Sequence, residues 1–347
     1  MATAADTARD TARRLLDLIA AARHARVVVL GDLIADEFVS GRIARVSREA
    51  PVLILEYDKT EMVPGGAGNA AHNVATLGGQ VALVALAGRD EPGRRVLASF
   101  PPRVHRGAIV RPAGYHTPVK TRILAGGVHS AKQQVVRIDR ATSEPIAEAW
   151  RTRWLRAAAA ALTRADAVLV SDYGSGLISP AVIASLMAPL RQRGRAVPVL
   201  VDSRYQLLRY RGLTACTPNE SEVEQALGTT VGDAPRALER AGRAILTRTR
   251  MDAVLVTRGS RGMALFEPGV PTTHIPIYGS DEIADVTGAG DTVMAALTLA
   301  LAAGGSMADA ARLANYAGGL VVMKRGTATV SARELARAVM LDAESSR

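Results

Sequence analysis

Aromatic side chains are scarce in this sequence: three phenylalanines, two tryptophans and seven tyrosines among 347 residues. The stacking platforms that hold single-stranded nucleic acid are therefore missing, and the core must be aliphatic. Cys216 is the single cysteine, so no internal disulfide can form and a reducing, cytoplasmic setting is expected. It lies in an apolar run and reads as inert core. The longest apolar run starts at Val293 and reaches only to about Ala303, too short to span a bilayer, so no membrane partner is expected. Asp6, Arg9 and Asp10 precede Leu15 and Leu16, which is not the order of a signal peptide. The six histidines form no close pair, which argues against a zinc site. The sequence has no Gly-Lys dipeptide, so a Walker A loop is excluded and any phosphate chemistry needs another architecture.

What is abundant is arginine, which carries most of a formal net charge of +10. The arginines are scattered, without a block of five. They fit a solvated basic surface or attraction of a phosphorylated substrate, and no nucleic-acid partner is expected.

Along the chain, residues 1–25 read as a polar lead-in and a helix. Arg26-Val27-Val28-Val29-Leu30-Gly31-Asp32 reads as a buried strand ending in a turn. Residues 39–63 alternate in short stretches, as in an antiparallel excursion from a main sheet. Pro64-Gly65-Gly66-Ala67-Gly68-Asn69 then breaks the pattern and opens a helix through about residue 77. Strands are expected at 81–86, 108–110, 167–171, 197–201, 213–217 and 253–257. Residues 117–125 and 133–138 are also strand-like and can join the excursion. Helices fall between, with a last pair at about 306–323 and from residue 331. Continuous apolar strands alternating with helices predict an α/β fold, a mostly parallel sheet covered on both faces. Ligands gather at the carboxyl ends of such strands, where Asp32, Asp172, Asp202, Asn219 and Arg258 lie.

The chemistry centres on Asp285-Val286-Thr287-Gly288-Ala289-Gly290-Asp291, ahead of a nearly unbroken apolar helix. A glycine turn opening a buried helix leaves backbone N–H groups aimed at one small space that suits an anion. Asp291 beside that space could activate a hydroxyl; equally, it could simply cap its own helix. Asn219-Glu220-Ser221-Glu222 opens another helix after a strand. It reads either as an Asn cap or as a place where Glu222 holds water or Mg²⁺ near phosphates. Thr257-Arg258-Gly259-Ser260-Arg261-Gly262 is a hairpin turn that could also bring Arg258 to nucleotide phosphates. Gly66-x-Gly68-x-x-Ala71 matches a permissive dinucleotide fingerprint, but no clean parallel strand precedes it.

In order and spacing these pieces resemble the PfkB (ribokinase-like) family of carbohydrate kinases. Pro64-Gly65-Gly66-Ala67-Gly68-Asn69 matches the family's N-terminal signature and Asp285-Val286-Thr287-Gly288-Ala289-Gly290-Asp291-Thr292 its C-terminal one. Within the family, residues 26–340 look most like the heptose-7-phosphate kinases. The segments that carry this are Gly31-Asp32-Leu33-Ile34-Ala35-Asp36, Arg45-Val46-Ser47-Arg48-Glu49-Ala50-Pro51, Val119-Lys120-Thr121-Arg122, Gln133-Gln134-Val135-Val136-Arg137-Ile138-Asp139, Leu169-Val170-Ser171-Asp172-Tyr173, Arg209-Tyr210-Arg211-Gly212, Thr217-Pro218-Asn219-Glu220-Ser221-Glu222 and Lys324-Arg325-Gly326-Thr327. The chain departs from that group in three places. Asp202-Ser203-Arg204 stands where Asp-Pro-Lys is usual, residues 125–132 are longer, and Asn69 replaces an alanine. No second nucleotide motif follows residue 340, so the nucleotidyltransferase domain often fused behind these kinases is not expected here.

The resemblance implies a ribokinase-like doubly wound core over 26–340 with a small β lid from about 39–63 and 117–138, often the seat of a homodimer. It implies ATP and Mg²⁺ as cofactors, with K⁺ a further option. Asn219, Glu222, Thr257, Arg258, Gly259 and Gly262 would meet the nucleotide, with its adenine near Asn315. Asp36, Gly65, Gly66 and Asn69 would meet the sugar, and Lys120, Arg122 or Arg204 a phosphate already on it. Gly288, Ala289 and Gly290 would form the anion hole and Asp291 would be the base, although a helix N-terminus favours its ionised form and weakens it. Glu222 would reach Mg²⁺ through water, and Asp285 would line a monovalent-cation site. The implied reaction is ATP-dependent phosphorylation of heptose 7-phosphate to the 1,7-bisphosphate. The alternatives are another sugar, nucleoside or cyclitol, or a nucleotide-binding protein without turnover.

Overall fold

The structure, a computed structural model, describes residues 4–127, 132–141, 145–192, 196–232, 234–279, 285–324 and 326–345. The longer 125–132 segment therefore lies partly outside the described residues, as does Arg325. In chain order the elements are α1 (Ala4–Ala22), β1 (Arg26–Gly31), β2 (Leu33–Val46), β3 (Leu53–Gly66), α2 (Ala67–Thr76), β4 (Gln80–Val84), α3 (Glu91–Ser99), β5 (Val104–His105), β6 (Val119–Gly126), β7 (Gln133–Arg140), α4 (Glu148–Leu162), β8 (Ala167–Asp172), α5 (Pro180–Arg191), β9 (Val199–Ser203), β10 (Ala215–Cys216), α6 (Glu220–Leu227), α7 (Pro235–Thr249), β11 (Ala253–Thr257), β12 (Met263–Phe266), β13 (Thr273–Ile275), α8 (Ala289–Ala302), α9 (Met307–Val322) and α10 (Ala332–Ser345).

The main sheet runs β13-β12-β11-β10-β9-β8-β1-β4-β5, parallel from β11 to β5 and antiparallel at the β12–β13 edge. Its central strands are β-branched runs buried on both faces, as a parallel sheet clad by helices requires. One face packs α1, α2, α8, α9 and α10 around Leu83, Leu169, Leu297 and Leu313. The other packs α4, α5 and α7 around Val170, Trp154, Ile183 and Ile245. Helix α8 is buried almost all round because alanines let α2 and α9 approach closely.

A second sheet, β3-β2-β6-β7, holds the excursion. It is longer than the sequence suggests and takes in 33–38 and 64–66. Pro64 is tolerated because β3 is an edge strand. The sheet is also mixed, since β2 and β6 pair in parallel: the chain returns to it from the main sheet rather than by a hairpin. The expected strand at 108–110 is reduced to a Val110–Leu86 bridge, with β5 forming just upstream instead. Strand β13 had no alternating signal to find it by. The ends of β1, β8, β9, β10 and β11 share one edge of the main sheet, and the start of α8 lies beside them.

Candidate active site

Asp291 lies in the first turn of α8 and is only 5% exposed. Its carboxylate does not cap its own helix. Instead Asn69 Nδ2 donates to Asp291 Oδ2 at 2.7 Å, from the first turn of α2. Asn69 Oδ1 accepts from Asn73 Nδ2 at 3.1 Å, and Asn73 Oδ1 accepts from Thr292 Oγ1 at 2.8 Å. The two signature segments thus meet through one buried hydrogen-bond chain. Gly288 supports it: at φ 79° it adopts a backbone that favours glycine, and a Cβ there would sit 2.6 Å from Asn69 Nδ2. The Ala289 amide, expected in the anion hole, donates instead to the Val286 carbonyl at 3.2 Å. Among the described residues no hydrogen bond occupies the Gly290 and Asp291 amides, the orphan donors of a helix start. Gly290 faces open space.

The sequence suggests a weakened base, and here the structure differs. Burial pushes the Asp291 carboxyl up to about 7, reinforced by Asp36 and opposed by Asn69, Lys120 and a hydrogen bond from the Tyr173 side chain. Desolvation outweighs the helix terminus.

Asp36, on β2, is buried and paired with Arg122 of β6, whose Nη1 donates to Oδ1 at 2.6 Å. Its carboxylate also packs against Gly65, where a Cβ would collide with Oδ2. Arg122 is therefore committed to Asp36 and is not the free phosphate cation of the sequence reading. Asn69 likewise spends its amide on Asp291 and Asn73 rather than facing a sugar with both ends. Gly66 caps α2.

Lys120 and Arg204 do converge. They line a cleft of about 460 Å³ with Asp32, Tyr173, Arg137 and Asp139, among others. Lys120 Nζ stands 4.7 Å above the Tyr173 ring. Burial draws its pKa down, with Arg204 and Arg137 adding to this and Asp36 and Asp139 opposing it. Asp291 is not part of that lining; Tyr173 belongs to both places.

The residues expected to meet the nucleotide serve mostly as caps and braces. Asn219 caps α6, accepting from Glu222 N at 2.9 Å, while its own N–H donates to Glu222 Oε2 at 3.0 Å. Thr257 pairs with Asn219 across β11. Arg258 Nε donates to Glu220 Oε1 at 2.8 Å, so it braces α6 instead of standing free for phosphates. Gly259 and Gly262 bound the one-turn helix that joins β11 to β12. Asn315, in α9, is buried and donates to the Pro276 carbonyl at 2.8 Å. The Asp285 carboxylate accepts from Thr287 N at 2.8 Å and Gly326 N at 3.1 Å.

Three contributors went unassigned in the sequence reading. Tyr173 and Arg137 lie in segments that carry the resemblance, but only the fold brings both to the lining of one cleft. Asp202, near the end of β9, is pushed up to about 8 by burial and then by the charges of Glu222 and Asp291.

Comparison with known proteins bears on the family and the fold. The description "pfkB family carbohydrate kinase" matches residues 25–334. A bifunctional protein HldE of Trichlorobacter lovleyi is 41% identical over 322 residues, covering 91% of this chain and 63% of its own length. Another, from Methylococcus capsulatus, is 42% identical over 323 residues, covering 91% of this chain and 64% of its own. The chain thus spans less than two thirds of these curated relatives. Among solved structures, an Arabidopsis thaliana ribokinase complexed with ribose and ATP superposes with a TM-score of 0.69 at 20% identity, over 91% of this chain and 99% of that one. The extent of the family match leaves one assignment: the chain belongs to the pfkB family of carbohydrate kinases.

Proposed function

We propose that this protein transfers the γ-phosphoryl group of ATP to the anomeric hydroxyl of a sugar phosphate, heptose 7-phosphate, giving the 1,7-bisphosphate. The observation that carries the reading is the pairing of two features. Asp291 is a buried carboxylate tuned near neutrality at the start of α8. Beside it, through Tyr173, is a cleft where Lys120 and Arg204 converge, two cations that an uncharged sugar does not need, while Arg137 of the same lining is paired with Asp139. The similarity to bifunctional HldE proteins supports the same substrate class.

In this reading Asp291 accepts the proton of the attacking hydroxyl, held in place by Asn69. The Gly290 and Asp291 amides and the positive end of α8 stabilise charge on the transferring phosphoryl group. Lys120 and Arg204 hold the phosphate already on the sugar. The smaller sheet, with Asp36 and Gly65 at its base, covers the sugar as a lid. Asn219, Thr257 and Gly259 border the nucleotide, and Asn315 stands near its adenine.

Among the described residues no cluster of three acidic, histidine or cysteine side chains could cage a metal ion. A magnesium ion carried by ATP phosphates, with Glu222 as a single water-mediated ligand, fits that donor set; such an ion supplies charge neutralisation. Asp285, with both oxygens on backbone amides, offers a monovalent cation negative charge more than open ligands. The edge strand β7 is exposed along its length and carries Val135, Val136 and Ile138 in solvent, which suits a homodimer through the smaller sheet. No helix among the described residues is long and apolar enough to cross a membrane.

Measuring ATP consumption against phosphorylated and free sugars tests the proposal. Turnover with heptose 7-phosphate supports it; turnover confined to unphosphorylated sugars rejects the substrate class, and ATP binding without turnover on any acceptor rejects the activity.

A further inference from the structure

Asp202-Ser203-Arg204, set against Asp-Pro-Lys by the resemblance in the sequence, lies at the end of β9, and the surroundings show what the serine does. Ser203 Oγ donates to Asp172 Oδ2 at 2.8 Å and accepts from Gln206 N at 3.2 Å. Asp172 is 2% exposed and collects further donors. Tyr210 OH reaches Oδ2 at 2.7 Å, and Gly174 N reaches Oδ1 at 3.1 Å. The Asp172 carbonyl accepts from Arg204 N at 3.1 Å. One buried residue therefore ties the turn that carries Arg204 to the loop that carries Tyr173. Asp32 fastens that loop from the other side, accepting from Tyr173 N at 2.9 Å and Ser175 N at 3.2 Å.

A proline at 203 would hold the turn by fixing φ. A serine has no such constraint; the β8–β9 pairing of Asp172 with Ser203 and the Arg204 N–Asp172 carbonyl bond hold the backbone, and the Ser203 side chain adds a further hydrogen bond to the same residue. Arg204 is exposed and makes no ion pair among the described residues, so its aim depends on that backbone.

We propose that Asp172, acting through Ser203 and Tyr210, is a positioning residue that sets Arg204 against Lys120 and Tyr173 for the phosphate on the sugar. This rests on the sugar-phosphate reading above. The side chains touch neither reacting atom, so their removal acts on recognition of the phosphorylated sugar rather than on the chemical step.

The test is steady-state kinetics of Ser203→Ala, Ser203→Thr and Tyr210→Phe, with Asp172→Asn as a more severe variant. Each is assayed with heptose 7-phosphate and with the same sugar lacking its phosphate. Arg204→Ala is the control. Ser203→Ala and Tyr210→Phe are expected to raise KM for heptose 7-phosphate about five- to tenfold, the size of one lost hydrogen bond. Their kcat and their KM for ATP should stay within twofold, activity on the unphosphorylated sugar should not change, and Ser203→Thr should restore KM. A parallel rise in both sugar KM values, or a lower melting temperature with an unchanged KM, would reduce the network to a structural role and overturn the proposal. If Arg204→Ala itself leaves KM for heptose 7-phosphate unchanged, Arg204 does not read the phosphate and both this inference and that part of the functional reading fail. If Arg204→Ala raises KM while Ser203→Ala and Tyr210→Phe do not, only the positioning role is lost.

Discussion

Asn69 and Asp291 lie 222 positions apart, yet the amide of one donates to the carboxylate of the other at 2.7 Å in the interior. The donor is a neutral amide, so it orients Asp291 without neutralising it. Tyr173 adds a second hydrogen bond to the same carboxylate. Asn73 and Thr292 extend the chain, so the amide itself is fixed.

Asn69→Ala removes this support. A hydrogen bond to a charged group is worth about 1.5–3 kcal/mol, so kcat should fall about tenfold to a hundredfold. Because Asn69 lowers the Asp291 pKa, the acid limb of the pH–rate profile should also move to higher pH. Initial-rate measurements from pH 5.5 to 9 check both effects. A lower kcat with an unshifted limb would mean that Asn69 only packs.

In the proposed mechanism Asp291 acts as a base in its ionised form, and burial has raised its pKa to about 7. The value of kcat/KM should therefore rise with pH through a midpoint near 7 and level off above about 8. Asp291→Asn should lose at least about two orders of magnitude in kcat while still binding ATP. Titration of ATP binding by calorimetry, beside the rate profile, separates the two. Near-normal turnover in the variant would remove Asp291 from the mechanism.

The same group has a stability consequence of opposite direction. Its folded pKa lies above the ordinary aspartate value of 3.8. Between about pH 4 and pH 7 the unfolded chain has released this proton and the folded chain keeps it. Stability therefore falls across that window and is flat above it. Asp291→Asn should gain nothing over the parent at pH 3.5 and progressively more up to pH 7, where the gain levels off. Each pKa unit corresponds to about 1.4 kcal/mol, so thermal melts at pH 4, 6 and 8 resolve the trend.

Both halves of this centre were legible in the sequence because each is local. A glycine turn opening an apolar helix and a diglycine segment opening another are visible in short windows. The alternation of β-branched runs with helices likewise gave the parallel core. What the windows hide is pairing across the fold. Arg122 looks like a free cation until β2 and β6 pair in parallel and set it against Asp36. Arg258 looks ready for a phosphate until the α6 start brings Glu220 to it. Tyr173 and Arg137 gain meaning only when the fold brings both to one cleft. The strength of Asp291 as a base was misjudged for the same reason: the helix terminus is written in the sequence, and desolvation by distant segments is not.

Gly65 separates the proposed sugar side from the proposed phosphoryl-transfer side. Its position on β3 faces the Asp36 carboxylate so closely that any side chain must push the carboxylate away, and with it Arg122. The backbone at Gly65 is otherwise ordinary extended strand, outside the positive-φ glycines, so alanine there is a steric probe and not a conformational one. Asp36 and Arg122 are both shielded from solvent, with side chains 10% and 12% exposed. Disturbing a shielded pair matters more than disturbing a surface one. Gly65→Ala should therefore raise KM for the sugar at least about tenfold (about 1.4 kcal/mol), while KM for ATP, set by the far side of the cleft, stays near that of the parent. Adding Asp36→Ala to Gly65→Ala should cost less than it does in the parent, since the first change has already displaced the carboxylate. Full additivity in that double-mutant cycle would show that Gly65 acts on the sugar by a route that does not pass through Asp36.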